Sequence, residues 1–147
     1  MNNPIHFTVL GDPKGQPRPK AFVRGGHAAV YDPGTAEGWK SAIAVAAKEA
    51  GAVGIMLKGP IRMSLCCWFK RPQSHYRTGK RSAELRDGIP TYHTKKPDAD
   101  NVFKAAADAL THLGVWLDDS QIAEVKIEKY YTDSNSRSEI TIEELAE

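Results

Sequence analysis

The sequence has very little cysteine. Its two cysteines, Cys66 and Cys67, are neighbours. Adjacent thiols cannot close a stabilising loop, and two alone cannot complete a four-ligand zinc site. No apolar run approaches the roughly 18–20 residues that a membrane helix needs. The opening stretch MNNPIHFTVL lacks the basic start and apolar core of a secretory signal. Repeats and low-complexity tracts are missing too. What is present is an ordinary globular balance, with 41% hydrophobic and 26% charged residues, which excludes collagen-like and disordered chains. A length of 147 residues fits one domain with a core large enough to fold unaided. The expectation is a soluble, cytoplasmic, single-domain protein with no membrane segment.

The formal net charge is only +2, but its distribution is uneven. Residues 1–97 carry 16 Lys and Arg against 6 Asp and Glu, and residues 98–147 carry 4 against 12. Such a split marks either a face for a polyanion or a fold in which the halves neutralise each other, and charge alone does not separate the two.

Hydrophobic periodicity places the elements. Ile5, Phe7 and Val9 alternate with polar residues, predicting a strand over about 4–10. The segment GDPKGQPRPK (11–20) carries three prolines and two glycines, which forbid regular structure. Residues 21–31 read as a hairpin turning at Gly25-Gly26. Asp32-Pro33 resembles a helix start, with a stripe of Trp39, Ile43, Ala46, Ala47 and Ala50 running to Gly51. Ile61, Met63, Leu65, Cys67 and Phe69 alternate as a strand with one strongly buried face, so Cys66 and Cys67 point opposite ways as inert structural thiols. Residues 70–97 show no periodicity and hold eight Lys and Arg interspersed with His75, Tyr76, Tyr92 and His93. A loop of that length is either functional or a flexible solvated segment, and its basic and aromatic mixture suits phosphate and base contacts. A second helix is predicted from about Asp100 to Leu113, with Val102, Phe103, Ala106, Leu110 and Leu113 inward. Ala123, Val125, Ile127 and Tyr131 then mark a strand, and residues 138–145 a closing strand that completes a terminal hairpin. The fold class expected is α+β, one domain in which two helices pack on a mixed or antiparallel sheet.

The chemistry concentrates at Lys96-Pro97-Asp98-Ala99-Asp100-Asn101-Val102-Phe103-Lys104. Asp98 and Asp100 flank the helix entrance, and on extended chain they would point the same way. One of them can serve as the helix cap, which leaves the other unexplained. Asp100, Lys104 and Asp108 share a helix face, the spacing of a surface ion-pair ladder. Asp118 and Asp119 add two more carboxylates where the chain turns back. Grouped carboxylates without arginines suit a hard cation such as Mg²⁺ or Mn²⁺. An EF-hand fails, because its third oxygen ligand would fall on Val102, its glycine on Phe103 and its bidentate Glu on Ala109. An acidic metal site beside a basic loop suits hydrolysis of a phosphodiester, with Lys104 able to add positive charge. The candidate phosphate contacts are Lys14, Arg18, Lys20, Arg24, Lys70, Arg71, Arg77, Lys80, Arg81, Lys95 and Lys96.

These residues carry a family likeness. KPDADNVFKAAADALTHLGVWLDDSQI (96–122) resembles the signature of RusA-type Holliday-junction resolvases: D-x-D-N-x-x-K, then D-A-L, a glycine and W-L-D-D-x-Q. GDPKGQPRPK, VYDP and the SH at 74–75 resemble the phage-type branch. The resemblance implies a small homodimeric, Mg²⁺-dependent endonuclease, without an organic cofactor, that nicks two opposed strands of a four-way DNA junction. It further implies that Asp98, Asp100 and Asp119 are essential acids, Lys104 an essential lysine and Asp118 a neighbouring metal ligand. The long basic insertion before Lys96 departs from compact family members and could extend selectivity to other branched DNA. Two rivals come from other classes. One is a DNA-binding module without activity. The other is a transferase using the Asp98-x-Asp100 pair, for which no Gly-rich strand–helix turn is present.

Overall fold

A computed structural model describes residues 3–17, 20–31 and 36–147. In chain order the elements are β1 (Ile5–Leu10), β2 (Lys20–Arg24), β3 (His27–Tyr31), α1 (Glu37–Glu49), β4 (Ile61–Lys70), α2 (Ala99–His112), β5 (Ile122–Thr132) and β6 (Arg137–Glu144). β2 and β3 form a separate hairpin closed by Gly25-Gly26. Both glycines have positive φ, as a two-residue hairpin turn of the I′ type requires. Arg18, Asp32 and Pro33, and the side chains of Lys20 and Arg24, lie outside the described residues.

The main sheet has the order β1-β6-β4-β5. β4 alternates so that Ile61, Met63, Leu65, Cys67 and Phe69 are all buried on one face. α1 and α2 cover that face and share one core with it, through Trp39, Ile43, Val102 and Leu110. Each fully buried side chain of this kind contributes about 1.5–3 kcal/mol by leaving water. The α+β class, with two helices on a mixed sheet, is therefore observed. No described helix is long and apolar enough to cross a membrane.

Several local expectations are corrected. β5 and β6 form no hairpin: β4 lies between them, parallel to β5 and antiparallel to β6. A turn at 133–136 signals only that the chain reverses, and β4, with the most apolar face, takes the central place. β5 is consequently an edge strand. Ala123 is exposed and Val125 is 46% exposed, while Ile122 and Tyr131 of the same strand pack against the core. The described part of α1 begins at Glu37, with Ala36 at the N-cap, and Ala50 is exposed at the C-cap. The buried stripe of α2 also takes in Ala105, Ala107 and Ala109, while Phe103 and Leu113 are only partly buried. The thiols behave as expected. Burial pushes Cys66 to about 11 and Cys67 to about 12, so neither is a thiolate near neutrality.

The core supplies a paired stability test. Leu110→Ala removes a fully buried side chain and is expected to cost about 2–5 kcal/mol, read as a fall in the urea midpoint. Ser138 faces the core between Val9 and Cys67, and among the described residues its buried hydroxyl has no hydrogen-bond partner. Ser138→Ala is therefore expected to leave stability unchanged or raise it. A loss above about 1 kcal/mol would mean that the hydroxyl is paired.

Candidate active site

Parallel neighbours need a crossover, and here α2 provides it. The chain leaves β4 at Lys70, returns through α2 and enters β5, so the N-terminus of α2 stands at the carboxyl end of β4. That end of a parallel pair is where open sheets of this kind build ligand crevices. Residues 71–98 occupy the place of a short turn. From the other side, the segment 11–17 docks on α2: the Gln16 N–H donates to the Asn101 carbonyl at 2.9 Å. Gly15 permits this approach, since a Cβ there would lie 3.1 Å from Cβ of Pro97 and 3.2 Å from Cβ of Asn101. Between these walls opens a cleft of about 870 Å³. Asp98 and Lys96 line it at the helix entrance, Lys70 and Phe69 at the end of β4, Lys14 on the docked segment and His93 on the long loop.

The long loop is folded against the sheet. It contains 3₁₀ turns at Gln73–His75 and Gly79–Arg81, and it pairs with the edge of β5 through His93 N–H to Lys129 C=O (3.0 Å) and Tyr131 N–H to Thr91 C=O (2.9 Å). Three of the arginines offered as phosphate contacts hold the loop itself together. Arg71 binds Asp133 at 2.7 Å and the Pro90 carbonyl at 2.7 Å. Arg77 binds Asp87 at 3.2 Å, and Arg81 binds Glu84 at 2.7 Å. Among the described residues, Lys14, Lys70, Lys80, Lys95 and Lys96 form no ion pair. The cations available to a polyanion are thus mainly lysines, and three of them surround the cleft.

The acids occupy two places. Asp98 is the N-cap of α2, but its side chain makes no capping bond and its carboxylate is exposed. Asp100 lies inside the first turn, two residues after the extended backbone of Asp98, so both acids stand at the entrance of the helix. Lys104 pairs with Asp108 at 3.9 Å, so only half of the expected ladder forms. Asp119 comes back beside this stretch of α2, at the start of a 3₁₀ turn (Asp119–Gln121). Its carboxyl is pushed up by desolvation, then by the Asp118 carboxylate and by Asp108, with Lys104 acting in the opposite direction. Asp118 is held below the usual carboxylate range by the Ser120 backbone N–H, the Ser120 hydroxyl and the Asp119 carboxyl. Asp98 and Lys104 are about 9 Å apart along the helix axis at 1.5 Å per residue. Among the described residues no three His, Cys, Asp or Glu side chains are grouped to hold a metal ion.

Residues 11–143 match the RusA endodeoxyribonuclease family. The chain belongs to this family. It is 33% identical to the uncharacterised protein YqaN of Bacillus subtilis over 142 residues, covering 97% of both chains. It is also 43% identical to the crossover junction endodeoxyribonuclease RusA of Escherichia coli K12 and 41% identical to that of Enterobacteria phage 82. Each of these matches covers 51 residues, 35% of this chain and 42% of the relative. Within the fold, the RusA-type motif D-x-D-N-x-x-K occupies the N-cap and first turns of α2, and W-L-D-D-x-Q forms the approach to β5.

Three residues of this region escaped the sequence reading. Lys129 donates to the Lys95 carbonyl at 2.8 Å, and burial lowers its pKa although Asp98 acts to raise it. Gln16 enters the cleft with the docked segment. Gln121 clamps the Asp118-Asp119 corner. Its Oε1 accepts from Leu117 N–H (2.8 Å) and Asp118 N–H (3.0 Å), and its Nε2 donates to the carbonyls of Leu57 (2.9 Å) and Gly59 (3.0 Å). The only sequence signal for it was the Q of W-L-D-D-x-Q. Gln121→Ala leaves both N–H groups and both carbonyls without this partner and is expected to cost about 1–3 kcal/mol. Thermal denaturation measures the loss, and amide exchange at Asp118 should accelerate. Unchanged exchange would show that the corner holds without the clamp.

Proposed function

We propose that the protein is a divalent-metal-dependent endodeoxyribonuclease that cuts Holliday junctions or related branched DNA, hydrolysing a phosphodiester in each of two strands as a cytoplasmic homodimer. The observation that carries this reading is the meeting of exposed Asp98 with the unpaired Lys14, Lys70 and Lys96 around one cleft, in a chain of the RusA family. The names of the Escherichia coli and phage relatives support the branched substrate, although the matched segment spans 42% of their length. Paired cuts need two sites, which a two-fold symmetric dimer supplies.

Mg²⁺ or Mn²⁺ suits the donors present, which are all carboxylate oxygens. Mg²⁺ commonly takes one or two carboxylates and completes its shell with water and substrate phosphates, so it does not require a preassembled cage of three side chains. Asp98, Asp100 and Asp119 are the acids that would hold it, with water and substrate phosphates completing its shell. Asp118 lies beside Asp119, with one oxygen engaged by Ser120 N–H at 2.8 Å. When bound, the ion would supply Lewis acidity and an activated water, the nucleophile of the reaction. The chain's own lysines hold phosphates and set the register of the strand without reading its sequence. Lys104, exposed on α2 beside Asp119, can place its ammonium near a phosphate oxygen on which charge develops.

A labelled four-way junction and a matched linear duplex, each with and without Mg²⁺, test the reading. Cutting of the junction alone, and only with Mg²⁺, is expected. Junction binding without any cut would favour the non-catalytic module. Asp98→Asn, Asp100→Asn and Asp119→Asn are each expected to abolish cleavage and spare junction binding, since the phosphate contacts stay in place. Full activity in one of them would remove that residue from the site. Lys104→Ala should slow single-turnover cleavage by roughly 100-fold while changing the junction Kd by less than about threefold, because its charge acts mainly in the transition state. Wild-type cleavage would leave Lys104 as a surface partner of Asp108.

A further inference from the structure

The cleft contains more than charge. Two polar atoms of its wall residues, His93 Nδ1 and Gln16 Oε1, are buried and, among the described residues, have no hydrogen-bond partner outside their own residue. His93 is only 9% exposed, and its ring is pinned by stacking at 3.8 Å on Phe69 and by an edge contact at 5.0 Å with Tyr131. Folded proteins rarely leave buried polar atoms unpaired, and two around one cleft ask for a common explanation. The two residues come from separate walls, His93 from the long loop and Gln16 from the docked segment.

The size and remaining chemistry of the cleft narrow the ligand. About 870 Å³ lies within the roughly 300–1,000 Å³ range of pockets that enclose a small ligand. That space admits a single nucleotide. Phe69, with Pro13 and Pro97, supplies apolar wall, and the three lysines supply positive charge. A nucleotide has the matching parts: an anionic phosphate, an apolar base face and a base edge carrying donors and acceptors. We propose that this cleft binds one unpaired nucleotide of branched DNA, with its phosphate against Lys14, Lys70 and Lys96 and its base edge hydrogen-bonded to His93 and Gln16. The proposal rests on the branched-DNA reading above and deepens it, because the residues that enclose the nucleotide come partly from the long loop. A base leaves its stack most cheaply where it is mismatched or already single-stranded, and branch points offer such bases.

A four-way junction carrying 2-aminopurine in turn at each nucleotide flanking the branch tests this in EDTA, where no cutting intervenes. Wild-type protein is expected to raise the emission severalfold at one position, as the base leaves its neighbours. Gln16→Leu and His93→Phe should each reduce that rise by about threefold or more, because each removes a hydrogen bond to the base edge. If His93→Phe fails to fold, Gln16→Leu on the opposite wall gives the same readout. No rise at any position, or a rise that neither substitution alters, overturns the proposal; the latter result would assign the unpaired atoms to ordered water. Cleavage of the same junctions with Mg²⁺ is scored in parallel. Cutting without an emission change removes only the nucleotide site, and an emission change without cutting removes only the nuclease activity.

Discussion

β4 is hydrogen-bonded on both edges, to β6 on one side and β5 on the other, and one of its faces is buried from Ile61 to Phe69. No other strand of the main sheet combines two pairing partners with so long an apolar face. Covering that face brings α1 and α2 to the same side of the sheet, and the core residues of both helices meet there. The opposite face stays partly open. On it Trp68 packs beneath the Arg137 guanidinium at 4.5 Å and beside Tyr130.

The parallel pairing of β4 with β5 shapes the candidate site. It obliges the chain to cross over, and α2 is the crossing element, so its first residues arrive where β4 ends. Asp98 and Asn101 therefore meet Phe69 and Lys70, from the far end of β4, around one cleft. The same crossing returns the chain along α2, which leaves Asp119 beside Lys104 and Asp108. Gln121 secures this return by bridging the corner to the carbonyls that precede β4.

Charge follows the same logic. The basic half of the sequence is partly neutralised by acids close to it in space: Arg77 and Arg81 pair within the long loop, and Arg71 reaches Asp133 after β5. Arginine, with its planar fork, serves here as an internal brace. The lysines around the cleft keep their charge for another molecule. Exposed pairs of this kind add little stability, so their main effect is to set which cations remain free.

The sequence alone determined most of the elements and the family. Alternation in 61–69 and helical spacing in 102–113 each report a buried face, and burial imposes those periods whatever the neighbours are. The D-x-D-N-x-x-K and W-L-D-D stretches marked the acids, because carboxylates grouped without arginines have few structural uses. Tertiary structure decided which strands pair. Residues 122–144 carry every local sign of a hairpin, yet β4 separates β5 from β6, since pairing depends on which apolar face must be covered at the centre. Only the fold showed that the aperiodic loop is ordered, that three of its arginines are paired with acids, and that His93 and Gln16 line one cleft. His93 and Gln16 lie 77 positions apart, and their place around one cleft depends on packing of the long loop and the docked segment, which no local pattern encodes.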